Sequence, residues 1–305
     1  RGGDPRRHLK RGLLLVAVLA VAVAVGLGLY ADFGRVGDEL ASFRWELFPL
    51  ALALTALNYL IRFWRWQLYL ARLAIVVPAG RSFAIFVAGL SGTITPAKLG
   101  EVLKCVLLKR GFDVPVRRSV PLVLAERVTD ATGVVVLALA AGAGTTRWPL
   151  VVLAIVGVLA IVVVVRSPLL DRFSVLGEAP EAARVLLRTP LLLAMTALSA
   201  VSWFFECLAA YVCVRGLKLD LGLDDTVLVF ALGSLAGALS FLPGGLGVAE
   251  TSMTGLIQVL GDASRAAAVA ATVLIRLATL WFAVVLGLAG LGVELLLERS
   301  ARSHE

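Results

Sequence analysis

FLPGGLGVAE, residues 241–250, stands in the middle of an otherwise apolar stretch running from 226 to 260. Proline has no N–H and its ring clashes with the preceding helical turn, while Gly244, Gly245 and Gly247 favour a turned backbone. A continuous lipid-facing helix cannot pass through such a segment, because hydrocarbon holds no water to satisfy the backbone groups that a break frees. A second apolar stretch, 82–108, is interrupted in the same way by ITPAKLGE at 94–101. Each stretch reads as two half-helices meeting at a break.

The two breaks are related. Pro96, Gly100 and Glu101 precede Arg127, and Pro243, Gly247 and Glu250 precede Arg276, with glutamate and arginine 26 positions apart in both cases. Each set sits on the same order of elements, a helix, a broken hairpin and a helix. The spacing predicts an internal repeat, the first unit over about 47–142 and the second over about 191–291.

Around these units the chain is built for lipid. Of 305 residues, 60% are hydrophobic and 16% charged, with a mean hydropathy of +0.94. Soluble domains carry about a quarter charged residues, so this is an integral membrane protein. Apolar runs at 13–30, 47–70, 119–142, 148–165, 191–214 and 265–291 approach or exceed the ~20 residues that a crossing needs. The expected architecture is an all-α polytopic membrane protein with six full transmembrane helices plus two re-entrant broken-helix hairpins, about eight hydrophobic segments in all. The run at 13–30 is read as a span, since it is long for a signal peptide and lacks a convincing small-residue cleavage pattern.

Charge gives the orientation. Lys and Arg number 29 against 21 Asp and Glu, a net charge of +8. By the positive-inside rule Arg1, Arg6, Arg7, Lys10 and Arg11 put the tail at 1–11 in the cytoplasm. With both hairpins re-entrant, Arg72, Arg81, Lys98, Lys104, Lys109, Arg110, Arg117 and Arg118 fall on that side too. The acid-rich loops at 32–46 and around Asp220, Asp224 and Asp225 fall outside. One transmembrane domain, 12–292, is then flanked by cytoplasmic tails, 1–11 and 293–305, in a multi-pass protein of the cytoplasmic membrane. In this topology the two hairpins enter from opposite sides, which makes the repeat inverted. Inverted repeats with discontinuous helices are the frame of alternating-access carriers, whose site lies at the repeat interface.

Several chemistries are excluded or disfavoured. The histidines, His8 and His304, lie in the tails, leaving a histidine-centred triad or metal site without ligands. Cys105, Cys207 and Cys213 lack C-x-x-C spacing and read as apolar fillers. PGGLG lacks the G-K-[ST] ending of a nucleotide-binding P-loop, so ATP hydrolysis is not supported. No basic tract interleaves with aromatics, so nucleic acid is not an expected partner. No cofactor, no metal and no enzymatic activity are expected.

What remains is a set of charges in apolar surroundings. Glu101 and Glu250 follow the breaks, where unpaired N–H groups at a helix start favour a carboxylate; they read as helix-start acids, proton carriers, contacts to a substrate amine, or counter-ions. Arg127 and Arg276 sit within spans, at a cost of about 3 kcal/mol each unless compensated. Either an ion pair or a bidentate lipid phosphate can do this. AERVTDA brings Glu126, Arg127 and Asp130 within one turn, which suits a local ion pair at least as well as a proton relay. Arg62 and Arg65 lie beside Trp64 and Trp66, where snorkelling into an interfacial aromatic belt is the plainer reading. Asn58 and Glu206 are deeper, and Glu206 needs a partner. Pro243, Gly244, Gly245 and Gly247 allow close backbone approach to a head-group at a helix N-terminus. Gly233, Gly237 and Ala238 suit helix packing or a homo-oligomer contact.

RFWRWQLYL at 62–70, TPAKLGEVLK at 95–104, AERVTD at 125–130, FLPGGLGVAE at 241–250 and the later Arg276 together resemble the flippase-like membrane domain of lysylphosphatidylglycerol synthases and its stand-alone relatives, over nearly the whole chain. The resemblance implies a domain that moves a product lipid between leaflets while a separate soluble domain makes it. No synthase domain is expected in this sequence, nor aminoacyl transfer. By position it points to Glu101, Lys104, Glu126, Arg127, Asp130, Pro243, Gly244, Gly247, Glu250 and Arg276. Lys104 stands where arginine is common in the family, and lysine is a point charge without the bidentate fork. The expected function is a translocase for an anionic phospholipid or a polyprenyl-phosphate-linked lipid. The alternatives are a non-transporting scaffold of lipid or envelope biosynthesis and an ion-coupled small-anion carrier.

Overall fold

The computed structural model describes residues 5–95, 100–142, 185–186 and 188–302. The expected span at 148–165 lies outside these residues, as do Pro96 and Lys98. Among the described residues all regular structure is helical: α1 (Pro5–Ala31), α2 (Phe33–Ser42), α3 (Phe48–Arg72), α4 (Ala79–Leu90), α5 (Leu103–Phe112), α6 (Val116–Gly142), α7 (Thr189–Gly216), α8 (Leu223–Leu239), α9 (Val248–Gly261), α10 (Arg265–Arg276) and α11 (Phe282–Arg302).

Three segments are long and apolar enough to cross a membrane, Trp45–Arg72, Thr189–Gly216 and Arg265–Leu297. A fourth crossing is available if α1 and α2, bent by 94° at Asp32, count as one span. The 27 residues of α6 rise about 40 Å, long enough to cross, but this helix carries Arg117, Arg118, Glu126, Arg127 and Asp130. Membrane crossing by this helix therefore depends on where those charges go.

Both broken stretches are hairpins of short helices. Gly89, late in α4, touches the stem of Lys104, early in α5, and Arg81, early in α4, lies over the Phe112 ring at the end of α5. The two helices therefore run antiparallel. In the second hairpin Gly233 meets Met253 and Gly237 meets Ala249, so α8 and α9 are antiparallel as well. At 12 and 10 residues, α4 and α5 rise only about 15–18 Å each, too short to cross. Gly233 and Gly237 thus serve packing within the chain, while Ala238 is exposed.

The helices differ from the sequence expectations at 33–42 and at 265–291. Residues 33–42, expected as loop, form α2: Asp32 caps it by accepting from the Gly34 N–H, and Val36 is buried. Helix α1 begins at Pro5 and α11 runs through Arg302, so helix extends into the ranges 1–11 and 293–305. The segment 265–291, expected as one plain helix, contains a π-turn at Leu277–Trp281, directly after Arg276.

Among the described residues the buried apolar side chains gather into two cores. One gathers α7, α8, α10 and the inner face of α6; it includes Cys207 and Cys213, which are free and buried as expected of apolar fillers. The other, with Trp66, Tyr69, Phe86, Leu107 and Leu122, wraps the first hairpin and α3.

Candidate functional site

The second core encloses charge. Arg62 and Arg65 project from α3, Lys104 from α5, and Glu126, Arg127 and Asp130 from α6, while Glu101 stands in the short turn leading into α5. Arg62, Arg65, Tyr69 and Trp66 fall at i, i+3, i+7 and i+4, one face of α3. That face is turned inward: Arg62, Arg65 and Trp66 are almost fully buried, whereas Trp64 is 61% exposed. The snorkelling reading of the two arginines is thereby overturned. Trp64 remains in the position of a belt residue, but the arginines point the other way because carboxylates await them.

Asp130 is the hub. It meets Arg65 Nη2 at 2.6 Å, Arg127 Nη2 at 2.9 Å and Arg62 Nη2 at 3.4 Å, and accepts from the Ser199 hydroxyl of α7 at 2.9 Å. Glu101 reaches Arg127 at 3.0 Å, Lys104 at 3.5 Å and Arg62 at 3.8 Å. Glu126 turns away from its neighbour Arg127 to Lys104 Nζ at 2.5 Å. Within this network four cations face three carboxylates, and the Glu206 carboxylate of α7 is close enough for Arg62 to feel its charge. Arg62, Lys104, Arg127, Glu101 and Asp130 each meet two or more opposite charges, while Arg65 pairs with Asp130 and Glu126 with Lys104. Such pairing offsets the cost of burying charge.

Lys104 is held further by aromatic faces. Its ammonium sits 4.7 Å from the Trp66 ring centroid and 5.5 Å from that of Phe86. Trp66 is itself fixed by donating its indole N–H to Ser82 at 3.1 Å. Lys104 is therefore committed to the protein interior.

The break before Glu101 closes through contacts a side chain would forbid. A Cβ on Gly92 would lie 2.2 Å from the carbonyl carbon of Gly100. The hydroxyl of Thr95 donates to the Gly92 carbonyl at 2.7 Å and accepts from the Gly100 N–H at 2.6 Å.

The second break is simpler. Glycines 244, 245 and 247 all have positive φ, with Gly247 at 88°. Glu250, in the first turn of α9, accepts from the Gly247 N–H through Oε2 at 2.6 Å and pairs through Oε1 with Arg276 Nε at 2.6 Å. The same guanidinium donates from Nη2 to the Gly244 carbonyl at 2.6 Å. Pro243 and Gly245 are buried. Both glutamate–arginine pairs that match in spacing are therefore closed ion pairs. The two breaks also meet: Gly244 packs against Ile94 and against Leu280 of the π-turn.

The charged site candidates Arg62, Arg65, Glu101, Lys104, Glu126, Arg127, Asp130, Glu250 and Arg276 all join one of these two clusters. The sequence reading missed Thr129, Tyr69, Ser199 and Tyr59. Thr129 bonds Arg65 and Tyr69 at 3.3 Å each, and Tyr59 donates to the Thr279 carbonyl in the π-turn at 3.0 Å. The helical spacing of Arg62, Arg65 and Tyr69 was the available signal. Asn58 donates to the Ser202 carbonyl at 2.7 Å, tying α3 to α7.

The fold and these clusters define a multi-pass helical membrane protein with an ionic network buried between its helices. Residues 17–287 match the family described as Lysylphosphatidylglycerol synthase TM region, and the chain belongs to that family. It is also similar to a "UPF0104 membrane protein" of Methanothermobacter thermautotrophicus, 41% identical over 64 residues that cover 21% of this chain and 19% of that protein. The match thus spans about a fifth of the length of this curated relative.

Proposed function

We propose that the protein is a carrier, not an enzyme, that moves lipids with an anionic phosphate head-group between leaflets by alternating access. Its frame in this reading is an inverted repeat with six crossings and two re-entrant hairpins, both termini lying in the cytoplasm of a cell-membrane protein. One observation supports it above the rest. Two glutamate–arginine pairs, each spanning 26 positions, close at two helix breaks that abut at Ile94 and Gly244.

Arg276 and Arg127 are the cations left partly open, with 12% and 23% of their side chains exposed. A phosphate entering between the breaks competes with Glu250 and Glu101 for these guanidiniums, so the head-group crosses by exchanging counter-ions, while its tails stay in lipid. The half-helix starts add partial positive charge along the way. The cargo is an anionic phospholipid, an aminoacylated derivative or a polyprenyl-phosphate-linked lipid. A second reading, a lipid-binding scaffold without transport, draws on Arg62, Arg65 and Lys104, which are buried and paired with carboxylates.

The test is leaflet-resolved movement of labelled lipids in proteoliposomes, comparing the intact protein with Arg276→Ala and Glu250→Ala, each checked for folding. Loss of movement in both folded variants is expected. No movement above empty liposomes for phosphatidylglycerol, its lysyl ester and a polyprenyl-phosphate sugar overturns the reading in favour of the scaffold. Competition by soluble anions rather than head-groups would favour a small-anion carrier.

A further inference from the structure

A surface basin of about 900 Å³ lies where the end of α1, the bent helix α2 and the start of α10 meet, with Tyr30, Asp32, Arg35, Asp38, Glu39 and Arg265 in its wall. It belongs to neither ionic cluster, and nothing in the counter-ion exchange above uses it.

Its depth follows from the bend. If α1 crosses the bilayer, a helix turned 94° from it lies along the membrane surface. That helix has the amphipathic pattern of an interfacial element, with Val36 buried and Leu40 packed on the core. Tyr30 and Trp45 flank it half-exposed, as aromatic residues do at head-group level. The basin is therefore open at the height of lipid head-groups.

Its chemistry follows from charges that do not cancel one another. Arg35, Asp38, Glu39 and Ser42 fall at i, i+3, i+4 and i+7, so one face of α2 turns to the basin. Intrahelical pairing at those spacings is favourable. Yet among the described residues Arg35, Asp38 and Glu39 form no ion pair within 4 Å, nor does Arg265 across the basin. Arg265 is instead steadied on the Tyr30 ring, 5.1 Å from its centroid, and Tyr30 donates to Gln258 at 3.3 Å. Guanidinium groups and carboxylates thus face one open volume unspent.

A purely anionic group in this basin meets three carboxylates, and a purely cationic one meets two guanidiniums. A group carrying both signs meets its complement at each end. We infer that the basin binds a zwitterionic phosphate–ammonium head-group of the phosphoethanolamine type, its phosphate on Arg265 and Arg35 and its ammonium on Asp38 and Glu39. Arginine is the side chain suited to the phosphate end, through its charge-assisted fork.

The intact protein, purified in detergent with equal phosphatidylethanolamine and phosphatidylglycerol, tests this by the lipids it retains in native mass spectrometry. The expected preference for phosphatidylethanolamine is about tenfold, lowered by Arg265→Gln. The double variant Asp38→Asn, Glu39→Gln is expected to lose the preference while retaining phosphatidylglycerol at least as well. All these side chains are at the surface, and a thermal melt confirms that the variants fold. Free O-phosphoethanolamine in lipid-free detergent distinguishes the source. Protection of the wild type but not of Arg265→Gln by the free compound assigns a soluble ligand. Lipid retention without such protection assigns the membrane lipid. Equal retention of the two lipids, together with no effect of the free compound, overturns the inference. So does a preference unchanged in both variants.

Discussion

Glu101 is shared by three cations, at 3.0, 3.5 and 3.8 Å, whereas Glu250 meets one cation among the described residues, Arg276, at 2.6 Å. Both stand 26 positions before their arginine and both belong to a helix break. The first pair is embedded in a network that also binds α3 to α6, so it is redundant and any one contact can be lost with others remaining. The second has backbone in place of redundancy: a carbonyl at Gly244 for the arginine and an N–H at Gly247 for the glutamate. One sequence pattern therefore yields a many-partnered brace in the first unit and an isolated, backbone-supported pair in the second.

The largest effect is expected at the hub of the brace. Asp130→Ala leaves Arg62, Arg65 and Arg127 gathered around a missing carboxylate in a site where Arg62 and Arg65 are almost fully buried. Uncompensated buried charge of this kind costs about 3–5 kcal/mol, a large share of the stability of most domains. Thermal unfolding in detergent, with size-exclusion profiles, is expected to find little folded monodisperse protein. A variant melting like the wild type would mean that the network is hydrated, and the contrast between brace and pair would fall.

Next comes the asymmetry between the two arginines. Arg276→Gln removes the partner cation of Glu250, with an expected loss of about 2–3 kcal/mol for a carboxylate left at low dielectric. Arg127→Gln leaves Glu101 with Arg62 and Lys104 and brings four cations against three carboxylates to three against three. Its side chain is the more exposed of the two and Glu101 keeps two other cations, so the expected loss is about 1 kcal/mol. The melting temperature should therefore fall clearly for the first variant and little for the second. Equal losses would show that redundancy does not separate the units.

Why the sequence disclosed the pairs but not the brace is a matter of distance along the chain. Glu101 with Arg127, and Glu250 with Arg276, could be read because a break is a local event with its own residues and the spacing recurs. The inward turn of Arg62 and Arg65 could not, since Trp64 and Trp66 suggest an interface and the deciding partners, Asp130 and Glu101, are brought in by tertiary packing. The helix α2 was hidden by its polar face, which reads as an acidic loop until Val36 and Leu40 find the core. The π-turn had no local signature at all: LATLW is ordinary helix-forming sequence, and only contacts to Tyr59 and Gly244 single it out.

A smaller effect sharpens the backbone side of the comparison. At Gly247, with φ of 88° and ψ of −56°, an alanine side chain is strained whatever space surrounds it. Gly247→Ala is expected to lower stability by about 1–3 kcal/mol and to weaken the bond from this N–H to Glu250. At Gly100 the backbone conformation is not of that kind; a Cβ there instead meets Thr95 and the Gly92 Cα at 2.7–2.8 Å. Thr95→Ala should therefore partly rescue Gly100→Ala by removing one of the clashes, while no neighbour substitution rescues Gly247→Ala. Melting temperatures of the single and double variants decide this.

The smallest expected change concerns the helices that carry the two arginines. Arg127 lies within an unbroken α6, whereas Arg276 is the last residue before the π-turn at Leu277–Trp281. In such a turn the hydrogen bonds reach one residue too far, and a carbonyl there gains from an outside donor. Tyr59 supplies one to Thr279. Tyr59→Phe keeps the ring beside Phe282 and removes only this bond, so the stability loss should be about 1 kcal/mol. Its signature lies in amide hydrogen exchange: peptides covering 277–282 should exchange faster, and those around Arg127 should not change. If the π-turn is the flexible joint that lets Arg276 part from Glu250, loosening it should alter the rate of lipid movement while leaving the brace intact. Equal acceleration around both arginines would instead mean that the two units yield together, with no division between a rigid and a movable pair.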